Sequence, residues 1–130
     1  MKRLAQVIGV VFLIAGIAGF IPALCPNGLL LGLFAVNGMH NIVHILSGIL
    51  ALAMAFGTEA TARNYFRIVG VVYALVTVLG FVAARDGMLM GMSMNMADNF
   101  LHLGFAIVFL WAGFLWKHGS LPTRGGPAPA

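Results

Sequence analysis

Two pairs of residues able to do chemistry recur at helical spacing in this sequence: His40 with His44, and Asp98 with His102. Residues four apart lie one turn apart on one face of a helix. Asn37, Asn41, Asn95 and Asn99 surround them. Two imidazoles so spaced can chelate one ion, and Asp98 with His102 would complete a four-ligand set suited to zinc or an oxidised transition metal such as copper. His44 and His102 could equally be the two axial ligands of a haem held between helices, although no attachment motif is present. The preferred reading of the cluster is structural. Asn37 and Asn95 cap helix N-termini, and Asp98 sits at the positive end of a helix dipole. The asparagines and histidines then hydrogen-bond across helices, at ~0.6–2 kcal/mol each.

A softer donor set precedes the second pair. Met88, Met90, Met92, Met94 and Met96 alternate strictly. In an extended chain they would line one side, and thioethers are soft ligands for copper(I). Against that stands the ordinary use of methionine as a flexible filler of irregular gaps. Cys25 is the one cysteine, so no disulfide forms within the chain, and a packed thiol is expected. A phosphate-binding glycine loop, a serine nucleophile in a recognisable setting and a second acid to pair with Asp98 are all missing. The sequence therefore points away from an enzyme.

The elements that must carry these residues are dictated by composition. Apolar residues make up 62% of the 130 and charged ones only 8%, where a soluble domain needs roughly a quarter charged. Lipid is the expected solvent. Crossing ~30 Å of hydrocarbon takes about 20 helical residues, and four stretches are long enough, at about 4–24, 38–57, 65–84 and 97–116. The net charge of +4 and pI near 10.0 could signal nucleic acid, but the basic residues are scattered at helix ends, and no nucleic-acid partner is expected. Lys2, Arg3, Arg63, Arg67, Lys117 and Arg124 fall on one side of the spans and only Arg85 on the other. The positive-inside rule makes the richer side cytoplasmic. Both termini then lie in the cytoplasm, Asp86 and Asp98 lie outside, and residues 117–130, which include His118, form a disordered cytoplasmic tail.

The chain also repeats itself. Gly9-Val10-Val11-Phe12 matches Gly70-Val71-Val72-Tyr73, and in the same register Gly19-Phe20 matches Gly80-Phe81. The stretch from Asn37 to His44 aligns with that from Asn95 to His102. Each half holds two spans, so the halves keep one orientation, as parallel repeats about an axis along the membrane normal. The duplication argues that the first segment is a retained helix. Lys2-Arg3 before an apolar run resembles a signal peptide, but the run is long and Ile21-Pro22-Ala23-Leu24 makes a poor cleavage site. The fold expected is an all-α membrane protein, a four-transmembrane-helix bundle of two tandem two-helix repeats. Ala5 with Gly9, Ala15 with Gly19, and Gly70 with Ala74 supply small-residue contacts between helices.

Gly32-Leu33-Phe34-Ala35-Val36-Asn37, leading into His40-Asn41-Ile42-Val43-His44, resembles the signature of a family of small bacterial four-span membrane proteins, the domain of unknown function 4383. Ala97-Asp98-Asn99-Phe100-Leu101-His102 resembles its second signature, and the similarity runs to Trp116. The resemblance implies four helices in a bacterial cytoplasmic membrane and marks the Asn/His/Asp cluster as the family's shared feature. It implies no activity, and the methionine run departs from the family pattern. The preferred function is that of a non-enzymatic accessory or stress-related membrane protein. The alternatives are a copper-, zinc- or haem-binding membrane protein using the cluster, and a small oligomeric transporter or channel. The partners expected are the lipid bilayer, other copies of the chain or a larger membrane complex.

Overall fold

The computed structural model describes residues 1–84 and 87–116. The expected disordered tail, with Lys117, His118 and Arg124, lies outside the described residues, as do Arg85 and Asp86.

Long apolar runs without internal proline make helices, and four of them form the body of the protein: α1 (Lys2–Ala18), α2 (Gly38–Phe56), α3 (Glu59–Ala83) and α4 (Met96–Leu110), the last continued by a π-helical turn at Trp111–Leu115. Three helices, at Gly38–Phe56, Glu59–Ala83 and Met96–Leu115, are long and apolar enough to cross a membrane. The α1 helix has 17 residues and stops well before Leu24. Pro22, which cannot continue a helix, opens a 3-10 turn at Pro22–Leu24 there, and a second follows at Pro26–Gly28. The α3 helix begins ahead of its apolar stretch because the Thr58 hydroxyl caps it, accepting from the Thr61 amide at 3.1 Å. In the π turn of the last helix, the Gly113 carbonyl accepts from Arg67 Nε at 2.9 Å, while the guanidinium lies over the Phe114 ring.

Between the helices of each pair the chain forms a short antiparallel hairpin. Strand β1 (Leu29–Leu30) pairs with β2 (Phe34–Ala35), and β3 (Met88–Leu89) with β4 (Met92–Ser93). The reversals fall at Leu31-Gly32 and Met90-Gly91, all four with positive φ. Turns with two such residues fit the twist of a tight hairpin. Leu31 and Met90 are bulky for that conformation, so the surrounding bonds must hold it. Val36 donates to Gly28 O at 3.0 Å and Met94 to Gly87 O at 2.9 Å, closing the two hairpins in the same way.

Close packing joins α1 to α2 and α3 to α4. A side chain added at Gly9 would meet Gly48 O at 3.0 Å, and one at Gly70 would meet Leu110 N at 3.0 Å. Without a hydrophobic driving force in lipid, such backbone approach is what lets helices associate. The buried core runs from Ala5, Ile8 and Phe12 through Tyr65, Phe66 and Tyr73 to Phe109. At the end away from the hairpins, the Met1 ammonium lies 3.2 Å from the Glu59 carboxylate, bringing the starts of α1 and α3 together.

Candidate metal centre

The hairpins place the polar residues. Asn37 ends the first hairpin segment in extended conformation, and its Oδ1 accepts from the His40 amide at 3.0 Å to start α2. Asn95 does the same for α4, accepting from the Asp98 amide at 3.0 Å, and the Asp98 carboxylate returns the bond to the Asn95 amide at 2.9 Å. Each asparagine also spends its NH2 on the opposite hairpin. Asn37 donates to Gly91 O at 2.9 Å, and Asn95 donates to Leu33 O at 2.8 Å.

One turn further in, every polar side chain is buried. His40, Asn41, His44, Asp98, Asn99 and His102 all retain less than a tenth of their exposure. The Asn41 amide fills the notch left by the absent side chain of Gly19, and Asn99 fills that of Gly80. The glycine pattern of α1 and α3 is thus a receptor for the asparagines of α2 and α4.

Three of the four expected ligands come together. One ring nitrogen each of His40, His44 and His102 lies within 4.8 Å of the other two. A tetrahedral site with bonds of ~2.0–2.1 Å sets its ligands about 3.3 Å apart, so the three rings would have to draw closer to hold one ion. His40 is oriented for this role. Its Nδ1 lies 2.9 Å from Ala35 O and 2.8 Å from Ser93 O. Carbonyl oxygens only accept, so Nδ1 carries a hydrogen, and in the neutral ring Nε2 is the nitrogen with a lone pair. A ligating histidine is characteristically held by such a bond to a backbone carbonyl. His44 and His102 each have a buried Nδ1 without a protein partner. Leaving a buried polar atom unsatisfied costs ~1–3 kcal/mol, a cost that an ion or a hydrogen-bonding ligand at that nitrogen would offset.

Asp98 stands outside the group. Its Oδ2 accepts from both the Asn95 amide and the Ala35 amide, at 2.9 and 3.0 Å, which ties α4 to the first hairpin. The four-ligand His/Asp set thus resolves into three imidazoles and a bracing carboxylate. The methionines do not share one side of a strand, because the chain reverses at Met90-Gly91. Met90 is exposed, Met94 is buried against Gly80, and Met88 accepts from Ser93 Oγ at 3.7 Å. Met92 alone of the run lines a cavity of about 240 Å³ that His40, His44 and His102 also line.

Aromatic rings floor the cluster. Phe12 stacks on His44 with centroids 5.6 Å apart, and Tyr73 meets His102 edge-on at 5.3 Å. These two rings are the aromatic residues of the repeated Gly-Val-Val motifs, a signal present in the sequence but not connected there to the histidines. Cys25 sits at the hairpin end of α1, its thiol donating to Ala18 O at 3.5 Å.

Apolar helices long enough to span, with polar side chains turned inward at one end, define a multi-pass membrane protein. Within that class the chain belongs to the family described as a domain of unknown function, DUF4383, whose model matches residues 2–115. No curated protein and no solved structure matches it.

Proposed function

We propose that this is a non-enzymatic four-span protein of the bacterial inner membrane that holds one transition-metal ion, copper in preference to zinc, on His40, His44 and His102. Its two helix pairs are tandem parallel repeats with both termini in the cytoplasm. The single observation that carries the metal reading is the convergence of three buried imidazoles, with ring nitrogens within 4.8 Å. Lone histidines in an apolar interior are usually satisfied core residues; three with mutually close nitrogens, one already oriented by two carbonyls, support a chelating role. Met92 on the same cavity adds a soft donor, which favours copper. A single ion also suits the space better than a porphyrin. His40 lies 4.5 Å from His44 and 5.8 Å from His102, centroid to centroid, in the gap a haem would have to occupy.

The topology is supported by the charge of Lys2, Arg3, Arg63 and Arg67 near the starts of α1 and α3. The repeat is supported by the matched hairpins, the matched caps and the exchanged Asn37 and Asn95 bonds. The test of the metal reading is elemental analysis of untagged protein in mild detergent, after dialysis against copper or zinc. One ion per chain is expected, lost in the His44→Ala/His102→Ala double variant. An equal, substoichiometric content in both proteins sinks the reading and leaves the cluster as a purely structural lock.

A further inference from the structure

A second cavity lies on the opposite side of His44, between α1, the first hairpin and α4. It measures about 420 Å³ and is walled almost wholly by apolar side chains, among them Ala15, Ala18, Phe34 and Leu101; among the described residues its polar lining is His44 and Asp98. The volume falls within the roughly 300–1,000 Å³ of small-molecule sites. Val11 and Ile14 on its rim are exposed on the outer surface of α1, the surface that faces lipid in a membrane-spanning chain.

We propose that this cavity binds a neutral lipid-soluble quinone or quinol, its ring at the polar end and its tail running out between α1 and α4. Access from the bilayer selects a lipophilic molecule. The polar end then selects among lipids. Among the described residues no lysine or arginine lines the cavity, so a phosphate or fatty-acid carboxylate would be buried beside the Asp98 carboxylate with only the His44 imidazole near it, which is unfavourable. A neutral head that both accepts and donates fits instead. His44 is more than nine-tenths buried and its Nδ1 has no protein partner. Asp98 takes both its amide bonds on Oδ2, which leaves acceptor capacity on Oδ1. A quinone carbonyl can accept from an imidazole N–H, and a quinol hydroxyl can donate to a carboxylate. Phe34 offers a flat apolar face to the ring.

Comparison of the two halves explains why the site exists on one side. In the register that aligns Gly9–Phe12 with Gly70–Tyr73, Ala15 falls on Val76 and Ala18 on Leu79. The sister cavity between α2 and α3 contains Val76 and is smaller, about 240 Å³. Ala15 stands in the first cleft where the bulkier Val76 stands in the second. The proposal shares the membrane reading above but needs no metal ion.

The test is titration of the chelator-treated full-length protein in nonionic detergent with a short-chain benzoquinone, followed by calorimetry. Saturable binding of one molecule per chain is expected. Ala15→Val/Ala18→Leu, which installs the residues at the matching positions of α3 and fills the cavity, should weaken it by about tenfold or more. Leu101→Trp, filling the cavity from α4, should do the same and serves if the first variant does not fold. Oleate at equal concentration should not displace the quinone. Non-saturable partitioning, unchanged affinity in the folded variants, or displacement by oleate would each overturn the proposal. Copper content measured on parallel samples keeps the two sites separate, since either can fail while the other stands.

Discussion

Asn37 and Asn95 are joined crosswise: each caps its own helix, and each donates its side-chain NH2 to a carbonyl in the hairpin of the other helix pair, Gly91 for Asn37 and Leu33 for Asn95. The exchange locks the two halves at the hairpin end, where the helix pairs are otherwise joined mainly by side chains. His40 and Asp98 continue the same logic one turn in. His40 donates to Ser93 O of the second hairpin, and Asp98 accepts from Ala35 N of the first. The histidine cluster therefore sits under a hydrogen-bonded lid made by both hairpins, and the lid fixes the His40 ring.

Removing one strap tests this. Asn37→Ala or Asn95→Ala deletes a cap worth ~0.5–2 kcal/mol and a cross-half bond worth about 1 kcal/mol. A loss of roughly 2 kcal/mol is expected for each in reversible unfolding by mixed detergent micelles. Asn37→Ser, which keeps the cap but cannot reach Gly91 O, should recover about half. If Asn37→Ser is as damaging as Asn37→Ala, the capping account is wrong.

The bracing role of Asp98 separates it from the histidines. Asp98→Asn keeps size but exchanges a charged acceptor of two amides for a neutral one, and should cost ~1.5–3 kcal/mol of stability. Metal content at saturation should persist in that variant and vanish in His40→Ala. Loss of the ion from Asp98→Asn, in protein still folded by circular dichroism, would restore the four-ligand set.

Selectivity among metals should reside in Met92. Met92→Leu preserves volume and removes the thioether, so zinc affinity should be unchanged while copper(I) affinity falls by about tenfold. Competition with a copper(I) chelator reads this directly. The exposed Met90 is the control, and Met90→Leu should alter neither metal.

Much of this architecture is legible in the sequence because lipid makes it so. Apolar length reports helices, and His40 with His44 at one-turn spacing reports a shared face. The inward rotation of that face follows from the cost of exposing imidazole to hydrocarbon. The hairpins are not legible. Their turns use Leu31-Gly32 and Met90-Gly91, without the Asn-Gly or Asp-Gly pairs that normally mark two residues of positive φ, and strands of two residues carry no periodicity. The partners of His40 and Asp98 are backbone groups of Ala35 and Ser93, which no side-chain pattern encodes. Nothing in the sequence registers that Asp98 accepts from two amides through Oδ2 and stands outside the group of three imidazoles. The alternating methionines are a similar case: alternation in an extended chain would line one side, and the chain folds back in the middle of the run.

Orientation has its own test. Leu31, at the tip of the first hairpin, is 73% exposed, and Thr58 joins α2 to α3 at the opposite end. In a Cys25→Ser background, Leu31→Cys should react with a membrane-impermeant maleimide in intact spheroplasts. Thr58→Cys should react only after lysis. The reverse pattern would invert the topology drawn from Lys2, Arg3, Arg63 and Arg67.

Glycines offer the sharpest contrast between packing and propensity. A methyl at Gly19 would collide with the Asn41 amide, and one at Gly80 with that of Asn99. Both amides are buried, and each has an Oδ1 without a hydrogen-bond partner, so they have nowhere polar to retreat. Gly19→Ala and Gly80→Ala should each destabilise by about 1–3 kcal/mol, the range for overfilling a packed interior. Through Asn41, one residue from His40, the Gly19 variant should also weaken metal binding. Gly104 is exposed on α4 with nothing within 4 Å of the added atom. There only the helix preference of alanine remains, so Gly104→Ala should be neutral or stabilising by up to ~1 kcal/mol. Thermal unfolding in one detergent ranks all three. Equal effects at Gly19 and Gly104 would mean that the notches holding Asn41 and Asn99 play no part in stability.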